Sequence, residues 1–290
     1  MYFDASNPYH RYRLHYESDN QLSVPEIIAH GSVDAHTAAT IWALLDKRAS
    51  YIIAGPTDPT PGVGKTTTLN ALLPFYPAGT GLVYTLGIYE DFAFRGDVPP
   101  GETTVLANEV SDHLPIYMWG GKARTFLRLP ADGYTIATSC HADALPDVLG
   151  ILRQDLRLTV HDVHRIQIIV NIGLQGSTWR GRRRWLTTHF MPPATDDATA
   201  KVQPLPISRW DAATDTFGNA DDAVVATMAA WVGMDAIAFV ADVERRETLL
   251  QRLADEGADF NATLRAIRTF RGDPVTDDAD ALPEDEDDEA

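Results

Sequence analysis

The sequence predicts an α/β fold: a mainly parallel sheet built around a phosphate-binding loop, then a small β-hairpin and a helical region. Three observations predict it. A short apolar run at 51–54, Tyr-Ile-Ile-Ala, enters a loop of Gly, Pro and Thr. That loop ends Gly62-Val63-Gly64-Lys65-Thr66-Thr67 and passes into a helix with Leu69, Leu72 and Leu73 on one side. Beyond it, apolar strands alternate with helical stretches, and two of those strands end in Glu109 and His141.

The elements follow in order. Residues 1–33 read as an irregular arm, with a short helix at Pro25-Glu-Ile-Ile-Ala. Asp34 is a predicted N-cap for a helix through Ala49, since Ala38, Ile41, Trp42 and Leu45 recur at helical spacing. After the loop and its helix, strands are predicted at 81–86, 103–107 and 134–139, with helices at 123–129 and 145–156. A strand at 166–172 returns as a partner at 185–190. The Pro/Ala/Thr/Asp stretch 191–204 is a predicted boundary. A small hairpin at 207–217 and three helices follow, at 221–232, from an Asp235 cap to about 256, and at 261–270. The domain organisation expected is therefore arm and linker helix 1–50, core 51–191, hairpin and helices 192–271, and a disordered acidic tail 272–290.

Composition narrows the function classes. The 290 residues carry a net charge of −17, and ten of the acids lie between Asp273 and Glu289, leaving −7 on the remainder. An acidic body with four lysines argues against a general nucleic-acid surface. No apolar run reaches the ~18 residues of a membrane span, and residues 1–20 lack the apolar core of a signal peptide. A single cysteine, Cys140, excludes an internal disulfide. A cytoplasmic protein is expected, free or peripheral at the inner face of a membrane.

Strand, Gly-rich turn, Lys-Thr and helix is the P-loop layout. Gly62 and Gly64 let backbone N–H groups turn toward a polyphosphate, and the following helix adds partial positive charge. Lys65 is the candidate for the β- and γ-phosphates, Thr66 for Mg²⁺, and Val63 and Thr67 complete the cradle. The usual spacing puts a Gly where Pro59 stands, and an insertion of Asp58 to Pro61 restores an ordinary loop. Glu109, at a strand's carboxyl end, is placed to hold Mg²⁺ or orient water. A surface-loop Glu is the alternative. His141 ends the next strand and is either a γ-phosphate sensor or a structural histidine. Glu90 and Asp91 follow the second strand as base or metal partner, or as a solvated turn. His161-Asp-Val-His164 has metal-like spacing, with a loop or helix cap favoured. Arg180-Gly-Arg-Arg-Arg184 is a grip for nucleic-acid phosphates or, preferably, a solvated hairpin turn.

In order, these motifs resemble the secretion and pilus assembly ATPases: the type II secretion, type IV pilus, archaeal-flagellum and type IV secretion family. Gly-Val-Gly-Lys-Thr-Thr-Thr-Leu-Asn-Ala-Leu at 62–72 is similar to that family's P-loop and helix, and Asn108-Glu-Val-Ser-Asp112 to its Walker B segment. Asp132-Gly-Tyr-Thr-Ile-Ala-Thr-Ser-Cys-His141-Ala-Asp resembles its histidine box. The likeness spans about residues 25–190 and extends more faintly to 270. Three positions depart: the loop insert, Ser111 in place of an arginine, and Gly87-Ile88 where an Glu-Asp pair belongs. The resemblance implies a RecA-like P-loop NTPase core with ATP and Mg²⁺ as cofactors. It also implies a homo-hexamer that acts on a polytopic membrane platform protein, with no nucleic acid. A finger arginine is expected at Arg95, or at Arg124 or Arg128. An ATP-binding but poorly hydrolysing regulator, and a nucleic-acid-dependent motor, are the alternatives.

Overall fold

The computed structural model describes residues 21–56, 62–176, 181–195 and 201–273. The expected Asp58–Pro61 insert, the arm before residue 21, Arg180 and the acidic tail from 274 lie outside them.

The first element among the described residues is α1 (Val24–Ala29), held by a reciprocal cap in which Ser23 and Glu26 each accept the other's backbone N–H. Asp34 caps α2 (Ala35–Leu45) as expected, accepting from the Thr37 N–H. β1 (Tyr51–Gly55) is fully buried. Across the loop comes α3 (Lys65–Ala71), then β2 (Gly81–Tyr84), β3 (Thr103–Val110), α4 (Gly120–Arg128), β4 (Thr135–His141) and α5 (Leu145–Gly150). The helix expected over 145–156 continues from α5 as a π-helical segment, Ile151–Asp155. Then follow α6 (Val160–His164), β5 (Ile168–Gln175), β6 (Arg182–Phe190), β7 (Leu205–Asp211) and β8 (Thr216–Asn219). Three helices close the described chain: α7 (Asp222–Val232), α8 (Ala236–Asp255) and α9 (Phe260–Arg271). Each is N-capped by an aspartate, Asp221, Asp235 and Asp259 in turn.

Among the described residues eight strands form one sheet, in the order β2-β3-β4-β1-β5-β6-β7-β8. The pairings from β2 to β5 are parallel and those from β5 to β8 antiparallel. The fold is mixed α/β. The hairpin expected beyond the 191–204 boundary pairs with β6 and extends the same sheet.

This order positions the site. From β1 the chain crosses to the far edge at β2, then steps back through β3 and β4 and past β1 to β5. Right-handed crossovers in opposite directions place their connections on opposite faces. Accordingly Tyr51 and Ile53 pack with α2 and α3, whereas Ile52 and Ala54 pack with Phe126 and Leu127 of α4 and Val148 of α5. The carboxyl ends of β1, β3 and β4 flank the crevice left between these connections.

On the first face, α2 is buried along nearly its whole length against α8. Trp42 stacks on Phe75 with ring centroids 5.1 Å apart, and the Arg246 guanidinium lies 4.6 Å from the Trp42 ring centre. Among the described residues, no single helix is long and apolar enough to cross a membrane.

Candidate functional site

Three strand ends and one helix supply the site. Lys65 is the first residue of α3, and Gly64 before it has φ +98°, the left-handed region open to glycine. Gly55, the last residue of β1, is pinned from two sides. A Cβ there would stand 2.8 Å from the Ile172 carbonyl oxygen and 2.9 Å from Val63 Cγ2. The Lys65 ammonium folds back over this end, donating to the carbonyls of Gly55 (3.4 Å) and Pro56 (3.2 Å).

The same ammonium lies 3.1 Å from Nδ1 of His141. An ammonium can only donate, so Nδ1 accepts and the ring proton sits on Nε2. Nε2 is 2.6 Å from Oε1 of Glu109. The approach is close but misaligned, for Oε1 remains a buried oxygen with no aligned donor. His141 pairs with Gly55 across β1 and β4, so both stand at the same level of the sheet.

A β-bulge aims Glu109. Leu106 faces the α3 side of the sheet, whereas Val105 and Ala107 face the α4 side. Simple alternation would therefore send Glu109 toward α4. Between Ala107 and Glu109 the register slips by one, leaving Asn108 over, and Glu109 pairs with Ser139 instead of Cys140. That turns it to the His141 side. The Ser139 hydroxyl donates to the Asn108 carbonyl at 2.7 Å and holds the bulge.

Burial sets the electrostatics. Desolvation raises the Glu109 pKa, opposed by the nearby Lys65 charge, the Ser111 hydroxyl and His113. Desolvation lowers that of Lys65, opposed chiefly by Glu109. Desolvation, then Lys65 and His113, depress His141 to about 4, so its ring is neutral near pH 7. Cys140, on the opposite face, is a buried thiol raised to about 12 and inert as a nucleophile.

No protein-family model matches the chain, and no curated protein does.

The structure therefore brings together Lys65, Glu109 and His141 beside Gly62, Val63 and Gly64. Thr66 and Thr67 follow on the first turn of α3, both half-buried. Glu90 and Asp91 are placed otherwise. Glu90 is 4% exposed, and its two oxygens accept the N–H groups of Leu86 (2.9 Å) and Phe92 (2.6 Å). Asp91 caps its own turn through the Ala93 N–H. Arg95 pairs with Asp132, and Arg128 with Asp162. The His161–His164 stretch is a capped helix: Thr159 and Asp162 form a reciprocal cap, and His164 Nδ1 bonds the Pro192 carbonyl.

Two residues carry roles that sequence reasoning did not assign. His113 packs its ring edge-on against His141, centroids 5.0 Å apart. Its backbone N–H bonds the Ser111 hydroxyl, a turn the Ser-x-His spacing after a strand can signal. Arg183 donates from Nε and Nη2 to the Gly62 carbonyl at 3.2 and 3.0 Å, clasping the loop from β6. Its neighbour Arg184 is buried in a bidentate pair with Asp215, which also accepts from the Trp210 indole. The described arginines of this hairpin are thus engaged within the chain.

Proposed function

We propose that the chain is the ATP-hydrolysing motor of a secretion or pilus-like assembly system, built on a RecA-like P-loop core. One observation carries the reading: the Lys65 ammonium, the His141 ring and the Glu109 carboxylate meet at the carboxyl ends of three adjacent strands. The ordered resemblance of the motifs around them supplies the motor class.

The residues fit a nucleotide with Mg²⁺. A buried carboxylate oxygen without a donor is costly, and a hydrated cation or a positioned water supplies that donor. Thr66 and Glu109 would hold the ion together with phosphate oxygens, since magnesium is seldom caged by protein alone. When bound, the ion neutralises charge on the transferring phosphoryl group. Lys65 binds the β- and γ-phosphates on leaving its carbonyl contacts. Glu109, with its pKa raised by burial, accepts a proton from the attacking water. Neutral His141 stands between the two and positions the water or the γ-phosphate. ATP sites at subunit clefts of a homo-hexamer, working on a polytopic membrane platform protein from the cytoplasmic side, complete the proposal. No nucleic acid is required.

A second reading is favoured by Glu90. With its carboxylate held by two backbone N–H groups, it offers no second base. A relative that binds ATP and turns it over slowly would look the same. Mg-ATP turnover by the wild type, Lys65→Ala and Glu109→Gln separates the two. A motor gives wild-type turnover at least ~100-fold above both variants. Wild-type turnover no faster than Lys65→Ala, with ATP still bound, removes the motor. Stimulation by DNA or RNA would favour a nucleic-acid motor instead.

A further inference from the structure

Beside residues 62–68 lies a cavity of about 350 Å³. Its position relative to β1 matters. Glu109 and His141 come from β3 and β4 on one side of β1, whereas Ile172 and Trp185 line the cavity from β5 and β6 on the other. A phosphate chain lying along residues 62–68 with its terminal phosphate at Glu109 must direct its opposite end toward this cavity. The walls suit a nucleoside. Leu22, Ile27, Ile172 and Trp185 give an apolar lining, and the last three are 5%, 1% and 2% exposed. Polar side chains complete the lining, those of His30, Ser32, Thr67, Thr68, Arg182 and Arg183.

Two of these, Arg183 and His30, are already oriented. Arg183, held on the Gly62 carbonyl through Nε and Nη2, fixes the plane of its guanidinium beside the cavity. A planar guanidinium stacks well on an aromatic ring. His30 Nδ1 stands 2.6 Å from the Glu26 carbonyl oxygen. A carbonyl oxygen only accepts, so Nδ1 carries a proton, and in that tautomer Nε2 is the acceptor. An acceptor pairs with the exocyclic amine of adenine and opposes the carbonyl that guanine carries at that position.

We propose that this cavity takes the nucleoside end of the bound nucleotide, that Arg183 stacks on its base, and that His30 makes the cavity select adenine over guanine. The inference rests on the P-loop reading above and adds where the base goes and which residues choose it.

Calorimetric titration of the full chain with ATP, GTP and inorganic tripolyphosphate tests it, in the wild type, Ile27→Trp, His30→Trp and His30→Leu. The wild type should bind ATP about tenfold or more tighter than tripolyphosphate and about fivefold or more tighter than GTP. Ile27→Trp fills the cavity and should remove the advantage of ATP over tripolyphosphate while tripolyphosphate affinity stays unchanged. His30→Trp does the same from an exposed position, should Ile27→Trp fail to fold. His30→Leu should bring ATP and GTP within about twofold of each other. Tripolyphosphate and ATP both bound, with every variant's ATP affinity at the wild-type level, overturns the cavity assignment and leaves the P-loop reading intact. Neither compound bound by the folded wild type overturns both.

Discussion

The Lys65 ammonium and Nδ1 of His141 stand 3.1 Å apart across 76 positions of sequence. The contact dictates a neutral ring, because two cations at that distance repel strongly in a partly desolvated crevice. His141→Ala should therefore leave ATP affinity within a few-fold and lower turnover about 100-fold. His141→Arg should also weaken ATP binding, by setting a second cation against Lys65. Separate measurement of Kd and kcat checks both. Unchanged kcat in His141→Ala would reduce His141 to a structural histidine.

The bulge at Asn108 is what turns Glu109 toward Lys65, and one hydrogen bond from Ser139 holds it. Ser139→Ala removes that bond at a buried site. The expected cost is about 1 kcal/mol of stability, read from urea denaturation. Turnover should fall further than this loss explains, while ATP affinity holds. A variant that loses stability but keeps full kcat would show that the bulge persists without Ser139.

Gly55→Ala places a methyl group 2.8 Å from a backbone carbonyl and 2.9 Å from Val63. The carbonyl belongs to a central sheet pairing and cannot move freely. A loss of about 1–3 kcal/mol is expected, together with weaker nucleotide binding as Val63 is pushed out of the loop. Gly62, whose added Cβ would meet nothing within 4 Å, is the control. Gly62→Ala should retain stability and lose less binding.

Much of this was readable along the chain, and the failures have local causes. β1, β3 and β4 are legible because buried parallel strands are continuous apolar runs bounded by turn residues. Glu109 and His141 are legible as strand-end residues for the same reason. The side of the sheet that Glu109 faces is not, since counting alternate residues from Val105 gives the wrong face and nothing in Ala-Asn-Glu marks a bulge. Glu90 is misleading because Phe92 takes a left-handed conformation (φ 61°), and both its N–H and that of Leu86 bond the carboxylate. A solvated hairpin turn was expected at 180–184, but Asp215 and the Gly62 carbonyl engage its described arginines. Both lie far away in sequence. Pro, Ala, Thr and Asp at 191–204 read as a boundary. What they do not disclose is that β6 and β7, the strands on either side, pair in one sheet.

Acid should destabilise the fold through half-buried histidines held neutral, His189 above all. His189 is depressed to about 4 by desolvation and then by Arg209. An unfolded histidine titrates near ~6.5, so between pH 6.5 and 4 the unfolded chain binds a proton that the native chain does not. Stability from this source is complete above pH 6.5 and is lost as pH falls toward 4. Glu109, with a raised pKa, contributes in the opposite sense, so His189 is the cleaner probe. His189→Gln should flatten the fall in urea midpoint over that window by an amount on the order of 1–2 kcal/mol, after discount for partial exposure. Parallel curves for the two proteins would place the acid sensitivity elsewhere.

Arg271 ties the last described helix, α9, to the turn that follows α3. Its Nη1 donates to the carbonyls of Tyr76 (2.9 Å) and, more weakly, Pro74 (3.5 Å), and Nη2 donates to that of Phe75 at 2.7 Å. Nη2 also pairs with Asp46 at the end of α2, 2.5 Å away. These carbonyls belong to the turn that ends the α3 segment, and such groups need an outside donor. Arg271→Ala removes that donor and leaves Asp46 with Arg246 alone. Because the side chain is 12% exposed, water cannot fully replace it. A loss of about 3 kcal/mol is expected, and Arg271→Lys should restore little of it, since one ammonium cannot span the positions a planar fork reaches. Arg265→Ala, an exposed change on the same helix, should stay within about 0.5 kcal/mol. Trp42 sits on Phe75 and 5.8 Å from the Arg271 guanidinium, so its fluorescence reports the same turn directly. If Arg271→Ala matches Arg265→Ala in urea and leaves the emission unshifted, α9 does not brace the turn after α3.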